Sequence, residues 1–435
     1  MHIKEPSARV KAQLLQREKY LESMKIRAIG RAISFVKRQE KPFKVNMVRA
    51  AFQHLFVSLT QQYQSIYIVG LGADPFQLGL VNSIGGIASA GISMPTGWLA
   101  DKYGIRRMFL LGIPLVAVGS LIFVLSRDWL MAIPALFITL LSLQILMTVC
   151  PMVCGSYLKM KERATGMQLC DTISAIPTVI SPMIAAVIIT KFGGLTPEGI
   201  RPLYGLQTIG FMLMFLLVLR HYRDTIGNKD STRFRAKIGF TGNMREILVR
   251  GKNVKRWIAY RALSNISWFL SLIYLPLFVA EVKGADQFVL GGMATTSMIV
   301  PLLLSIPMGR LADTIGRKKV IYTVTPLYVI SILLLIYAPN TTILLISSFL
   351  QGFLTLGLVT QGAITQELVP TSLLGTWWGT LGLLSGVMRF LGPILGGFIW
   401  SFLGPVYVFF FIFFLEASKL TLLWLVIPET LKSAR

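Results

Sequence analysis

The side chains that could do chemistry in this chain are few, and most lie inside long apolar runs: Arg49, Arg261, Arg389, Glu416 and Lys419, with Asp171 and Glu367 nearer the ends of such runs. An ionisable group in such surroundings is costly and marks a solute path, a proton relay or a structural pair. Asp171 has no evident partner on its own run, so it and Glu367 are candidates for a coupling proton; a water-exposed place at the mouth of a cavity suits Asp171 equally. Arg389 is the sharpest case. An unpaired guanidinium at that depth costs at least about 2.5 to 3.5 kcal/mol, so it requires a partner. One choice is Glu416, at similar depth on the next run with Lys419 three residues on; the other is an anionic group on a bound solute.

Other chemistries find no support. Cys150, Cys154 and Cys170 are odd in number and sit among apolar residues, which gives neither a disulfide framework nor a metal-ligand spacing. The Gly-x(4)-Gly-Lys-Ser/Thr phosphate loop is missing, and no Cys/His cluster or nucleophile-base pair stands in the polar segments. His54 lies about 140° from Arg49 around a helix and is expected to pack rather than carry protons. The expectation is therefore no enzyme, no cofactor and no metal.

The elements that must position these residues follow from composition. The chain has 435 residues, 54% hydrophobic and only 14% charged, with a mean hydropathy of +0.65. A helix needs roughly 20 mostly apolar residues to cross a bilayer. Twelve such runs emerge: 46–70, 76–100, 108–126, 129–155, 165–190 and 202–220, then 257–281, 288–309, 320–338, 341–367, 375–401 and 404–427. The expected fold is an all-α membrane protein of two six-helix halves, 45–220 and 257–427. These are joined by a polar linker at 221–256 and flanked by tails at 1–44 and 428–435. No cleavable secretory signal is expected at the N-terminus.

The net charge of +24 is explained by topology. With both termini in the cytoplasm, 35 of the 43 Lys and Arg residues fall in inner segments; Arg127, Lys191, Arg201 and Lys283 fall outside, and the remaining four lie within spans. Nucleic acid is then unnecessary as a partner, and anionic lipid at the cytoplasmic face is expected instead. Residues 7–38, with Val10, Leu14, Leu21, Ile29, Ile33 and Val36 at near-helical spacing among basic residues, are expected to form an interfacial helix.

On span one, Asn46, Arg49, Gln53, Thr60, Gln64 and Tyr67 fall within about 60° of arc, a polar stripe that should face a cavity rather than lipid. Span seven repeats it with Arg261, Ser264, Asn265 and Trp268. For Arg49 and Arg261 the expectation is snorkelling to the inner headgroups. Gln53, Thr60, Gln64, Tyr67, Asn265 and Trp268 are the better cavity candidates.

The chain repeats itself. Gly97-Trp-Leu-Ala-Asp101-Lys-Tyr-Gly104-Ile-Arg106-Arg107 recurs as Gly309-Arg-Leu-Ala-Asp313-Thr-Ile-Gly316-Arg317-Lys318-Lys319, an offset of 212 that also carries Arg49 to Arg261 and Gln53 to Asn265. This stretch resembles the loop motif of the major facilitator superfamily. Gly386-Val-Met-Arg-Phe-Leu-Gly392-Pro393-Ile-Leu-Gly396-Gly397 on span eleven is similar to the glycine-proline element that drug/proton antiporters of that superfamily carry in helix five. Its helix-five counterpart here, Ala175 to Ala186, keeps small residues without the glycines, and span four lacks the Arg those antiporters tend to carry.

The resemblance implies a secondary transporter working by alternating access, most nearly a proton-coupled exporter of a hydrophobic or amphipathic solute. It also implies that Asp101, with Arg106 and Arg107, contacts the facing half near the start of span eleven when the inner gate shuts. A facilitator or proton symporter for a sugar or organic anion is the alternative, and a non-transporting sensor or scaffold is a third. The expected setting is a monomer in a prokaryotic plasma membrane, with a small-molecule substrate and protons as coupling ion.

Overall fold

The computed structural model describes residues 34–158, 163–222, 252–369 and 374–426. Most of the tail expected to lie on the membrane, most of the linker and the C-terminal tail fall outside the described residues. Among the described residues the fold is all helical: α1 (Lys41–Gln61), α2 (Gln64–Gly70), α3 (Pro75–Tyr103), α4 (Ile105–Leu125), α5 (Ala132–Tyr157), α6 (Arg163–Lys191) and α7 (Pro197–His221), followed by α8 (Lys252–Glu281), α9 (Gln287–Ile315), α10 (Arg317–Tyr337), α11 (Thr341–Glu367), α12 (Leu374–Phe402) and α13 (Pro405–Val426). Ten of these helices are long and apolar enough to cross a membrane.

The starts of several helices are written in the sequence. Asp74 and Gln77 form a reciprocal capping box on α3, and Thr196, Asp286 and Asn340 accept from backbone N–H groups in the first turns of α7, α9 and α11. All four caps lie at one end of the bundle, the cap end. The repeated motif lies at the other, the motif end. There Gly104 and Gly316 take φ of 86° and 110° and each joins two long helices with no intervening residue, so a residue with a side chain would be strained at either place.

The first apolar run is interrupted, which its sequence does not announce with Pro or Gly. The Tyr63 N–H bonds to the Thr60 carbonyl at 3.0 Å, three residues back instead of four, and α2 restarts at Gln64.

Helices α1 to α7 pack chiefly among themselves, as do α8 to α13. The two sets meet along a seam made by α3 against α12, α6 against α9, and α2 against α8. Buried aromatics fill the interior of each set. Large apolar side chains such as Ile209 and Leu213 on α7, Leu303 on α9 and Phe414 and Trp424 on α13 are exposed, each by 60% or more. An outer surface this apolar is suited to lipid.

Candidate functional site

The cap end of the seam is closed by a doubly repeated arrangement. From the start of α2, the Tyr63 hydroxyl faces the Pro182 carbonyl of α6 at 3.3 Å and, across the seam, the Gln287 carbonyl of α9 at 3.0 Å. From α8, the Tyr274 hydroxyl faces the Pro393 carbonyl of α12 at 2.7 Å and, across the seam, the Pro75 carbonyl of α3 at 3.2 Å. Every partner corresponds: Tyr63 to Tyr274 and Pro182 to Pro393 at offset 211, Pro75 to Gln287 at offset 212. Gly291 and Gly79, also 212 apart, let the backbones approach. A Cβ on Gly291 would lie 2.8 Å from the Pro182 carbonyl oxygen, and one on Gly79 would collide with that of Pro393. Ser83 donates to the Phe390 carbonyl (2.6 Å), Thr295 to that of Val179 (2.9 Å), and Gln287 to Thr190 (2.8 Å), adding to the seam.

The glycine-proline element of α12 does its packing here. Gly386 abuts Ala90 and Gly397 abuts Phe76 of α3, Gly396 abuts Leu270 and Tyr274 of α8, and Gly392 passes α8 at 3.8 Å. One turn further toward the motif end, a Cβ on Gly382 would meet no described atom within 4 Å.

Two cavities lie along the seam. The first offers about 210 Å³ to the centre of a water molecule and is mostly apolar, with Trp268, Leu272, Leu275, Met293, Met298 and Leu354 among its walls. The second, of about 240 Å³, has Leu140, Leu143, Met147 and Phe269 as walls but also Thr60, Gln61, Gln64, Asn82, Gln144, Gln207 and Arg389. Gln61 and Leu272 line both, so these are two lobes of one interior space. In the polar lobe Thr60 donates to Gln207 at 3.2 Å, and Asn82 is occupied by the Leu78 carbonyl.

The structure thus gathers Thr60, Gln64, Trp268 and Arg389 around the cavity. It draws other candidates away. Gln53 is buried against Arg49, and Asn265 lines neither lobe. Tyr67 is fully buried among Phe123 and Tyr204 in the core of its own set and donates to the Phe123 carbonyl at 2.6 Å.

Arg49 does not snorkel, and this corrects the expectation. It is 1% exposed, donates to Asn46 at 3.0 Å and Gln53 at 2.5 Å, and lies over the Phe109 ring at 4.6 Å. Arg261 instead reaches α11, donating to Gln361 at 2.9 Å. Asn46 and Gln53 of its own helix and the Phe109 ring of α4 make the headgroups unnecessary for Arg49, and Gln361 of α11 partners Arg261. Glu416 pairs with Lys419 at 2.7 Å, both buried, and not with Arg389.

In the loop motif, Arg106 donates to the Leu219 carbonyl near the end of α7, and Lys318 to the Trp424 carbonyl near the end of α13. Each cation thereby sits at the negative end of a helix of its own set. Gly97 and Gly309 lie within α3 and α9; Arg107 is exposed and Arg317 half-buried. Asp171 is exposed on α6 near the motif end. The side chains of Asp101, Asp313 and Glu367 lie outside the described residues. Sequence reasoning missed Tyr63, Tyr274, Gln61, Gln144 and Gln207; the two tyrosines were detectable as a pair at the repeat offset.

The Major Facilitator Superfamily profile matches residues 47–294 and 258–435. The chain belongs to this superfamily. With ten described helices long and apolar enough to cross a bilayer, it is an integral membrane protein. An uncharacterized MFS-type transporter of Mycobacterium tuberculosis is 31% identical over 131 residues, 30% of this chain and 19% of that protein. An MFS-type efflux pump of Pseudozyma antarctica is 24% identical over 169 residues, 37% of this chain and 31% of that protein. The match thus spans only a fifth to a third of these relatives' length. Among solved structures, the nucleoside transporter NupG has a TM-score of 0.70 at 13% identity, covering 88% of this chain and 98% of NupG. A D-xylose-proton symporter has 0.69 at 12%, covering 92% and 98%. At such identities the likeness is one of fold.

Proposed function

We propose that this superfamily member is a twelve-span secondary transporter whose two six-helix halves rock about the cavity, exporting a small amphipathic solute in exchange for protons. In this scheme α1 and α2 form one broken span and the motif end faces the cytoplasm, in keeping with the excess of basic residues there. The observation that carries the reading is the pair of repeat-related tyrosine contacts closing the seam on one side of a cavity that lies between the two halves. Two states related by such a seam need lie only a few kcal/mol apart to interconvert. In the opposite state Asp101, with Arg106 and Arg107, would latch the motif end against the start of α12.

The glycine-proline element and the efflux pump among the relatives support export; Asp171 and Glu367 are the residues to test for coupling. The polar lobe favours a second reading, a facilitator or symporter for a polar metabolite. The deciding experiment is solute counterflow in proteoliposomes with an imposed pH gradient, over neutral, cationic and anionic amphiphiles. Uphill movement that collapses with the gradient supports the exchanger. Counterflow indifferent to the gradient favours the facilitator, and no counterflow by any solute returns the chain to a non-transporting role. Asp101→Asn should slow counterflow by roughly fivefold or more without loss of membrane insertion, the scale of a latch worth about 1 to 3 kcal/mol.

A further inference from the structure

We infer that the polar lobe binds the head of a small organic monoanion, a carboxylate or sulfonate with an apolar body, and that Arg389 is its counter-ion. The inference rests on the transport reading of the cavity and narrows its substrate.

Arg389 is held at its root. Where α12 crosses α3, a Cβ on Gly86 would lie 2.9 Å from the Arg389 carbonyl oxygen and 3.1 Å from its Cγ, so the stem is clamped beside a neighbouring backbone. The guanidinium turns over the Phe269 ring at 5.1 Å and into the lobe. Among the described residues it makes no hydrogen bond and no ion pair. Glu416, the carboxylate within plausible reach by sequence, is held by Lys419. Among the described residues no Asp or Glu lines either lobe. A guanidinium carries five N–H donors in a planar fork that matches a carboxylate in bidentate fashion, and here that fork faces space.

The surroundings supply donors rather than competing charge. The amides of Gln61, Gln64 and Gln144 have no partner among the described residues, and the Tyr204 hydroxyl is buried with none. One cation with neutral donors selects a single negative charge. The adjoining lobe, walled by Trp268, Leu275 and Met293, accepts the apolar body. A cationic amphiphile would face an uncompensated guanidinium and be rejected.

The test uses full-length protein in nanodiscs and matched pairs of rising size: acetate and acetamide, butyrate and butyramide, 4-phenylbutyrate and 4-phenylbutyramide, measured by calorimetry on wild type, Arg389→Gln and Arg389→Lys. The expected result is at least a tenfold preference for the larger acids over their amides, lost in Arg389→Gln and partly kept in Arg389→Lys. The unliganded Arg389→Gln protein should melt no lower than wild type, because it sheds an unpaired charge. A panel in which no acid outbinds its amide, a preference that survives Arg389→Gln, or a variant that melts well below wild type overturns the site. Counterflow separates the two levels of the account. Acids that bind but do not exchange leave the site standing and defeat transport, whereas neutral solutes that exchange equally through Arg389→Gln with no acid preference leave transport standing and defeat the site.

Discussion

At the cap end, Tyr63 and Tyr274 reach from one helix set to backbone carbonyls of the other. At the motif end, Arg106 and Lys318 reach carbonyls of their own sets. Both pairs are related by the same internal repeat, so duplication has produced two kinds of contact with opposite mechanical meaning. The first kind must break for the seam to open; the second can persist through a rigid rotation of either half. On the proposed rocking motion, the cap end is the part of the structure that records the state, and the motif cations brace the bodies that would move.

The comparison can be broken most forcefully at the glycines. Gly79→Leu or Gly291→Leu would drive a side chain into the facing carbonyls, and overpacking of this kind costs about 1 to 3 kcal/mol. The expected outcome is loss of counterflow by tenfold or more with insertion intact, and native counterflow would remove the close approach from the account. At Gly104, substitution by Ala forces a side chain into an extended positive-φ conformation that is essentially glycine's alone, at about 1 to 3 kcal/mol. A lowered melting temperature with the ratio of the two seam states unchanged is expected.

The tyrosines should not be equal. Each hydroxyl has one proton to give. The shorter contact of Tyr63 crosses the seam and that of Tyr274 stays within its own set. A neutral hydrogen bond contributes about 0.5 to 1.5 kcal/mol net, so Tyr63→Phe should open the cap end more than Tyr274→Phe, as read by cysteine labelling at Gln61 from the cap side. Equal effects would mean that the within-set contacts govern closure. Smallest of all, Arg106→Ala or Lys318→Ala should lower the melting temperature through a helix-end interaction of about 0.3 to 1 kcal/mol. Neither should alter that labelling.

Most of the helical architecture was legible because apolar length and terminal charge are one-dimensional signals. The run predicted at 341–367 matches α11 (Thr341–Glu367), and apart from the break inside the first run the other helix ends fall within about six residues of expectation. The break at Gln62 and Tyr63 was not legible, since no Pro or Gly marks it. That Tyr67 packs into the core while Gln64, three residues back on α2, lines the cavity was hidden because its ring neighbours Phe123 and Tyr204 come from other helices. Arg49 was misjudged for a related reason: its ring neighbour Phe109 comes from another helix, and depth within one helix says nothing about it. The alternatives for Arg389 narrowed when Glu416 proved to be occupied by Lys419 on its own helix. Tyr63 and Tyr274 carried a signal in their repeat spacing, but a tyrosine in an apolar run reads first as packing.

The central claim is that closure at the cap end and opening at the motif end are one coupled motion. It is tested most directly by electron–electron distance measurements between spin labels on Phe192 and Phe402 at the cap end and, in a second sample, on Arg107 and Lys319 at the motif end, all exposed positions. Each pair is compared with and without the Tyr63→Phe/Tyr274→Phe double substitution. The account predicts that the double substitution lengthens the first distance and shortens the second. A cap end that loosens while the motif-end distance stays fixed would contradict it.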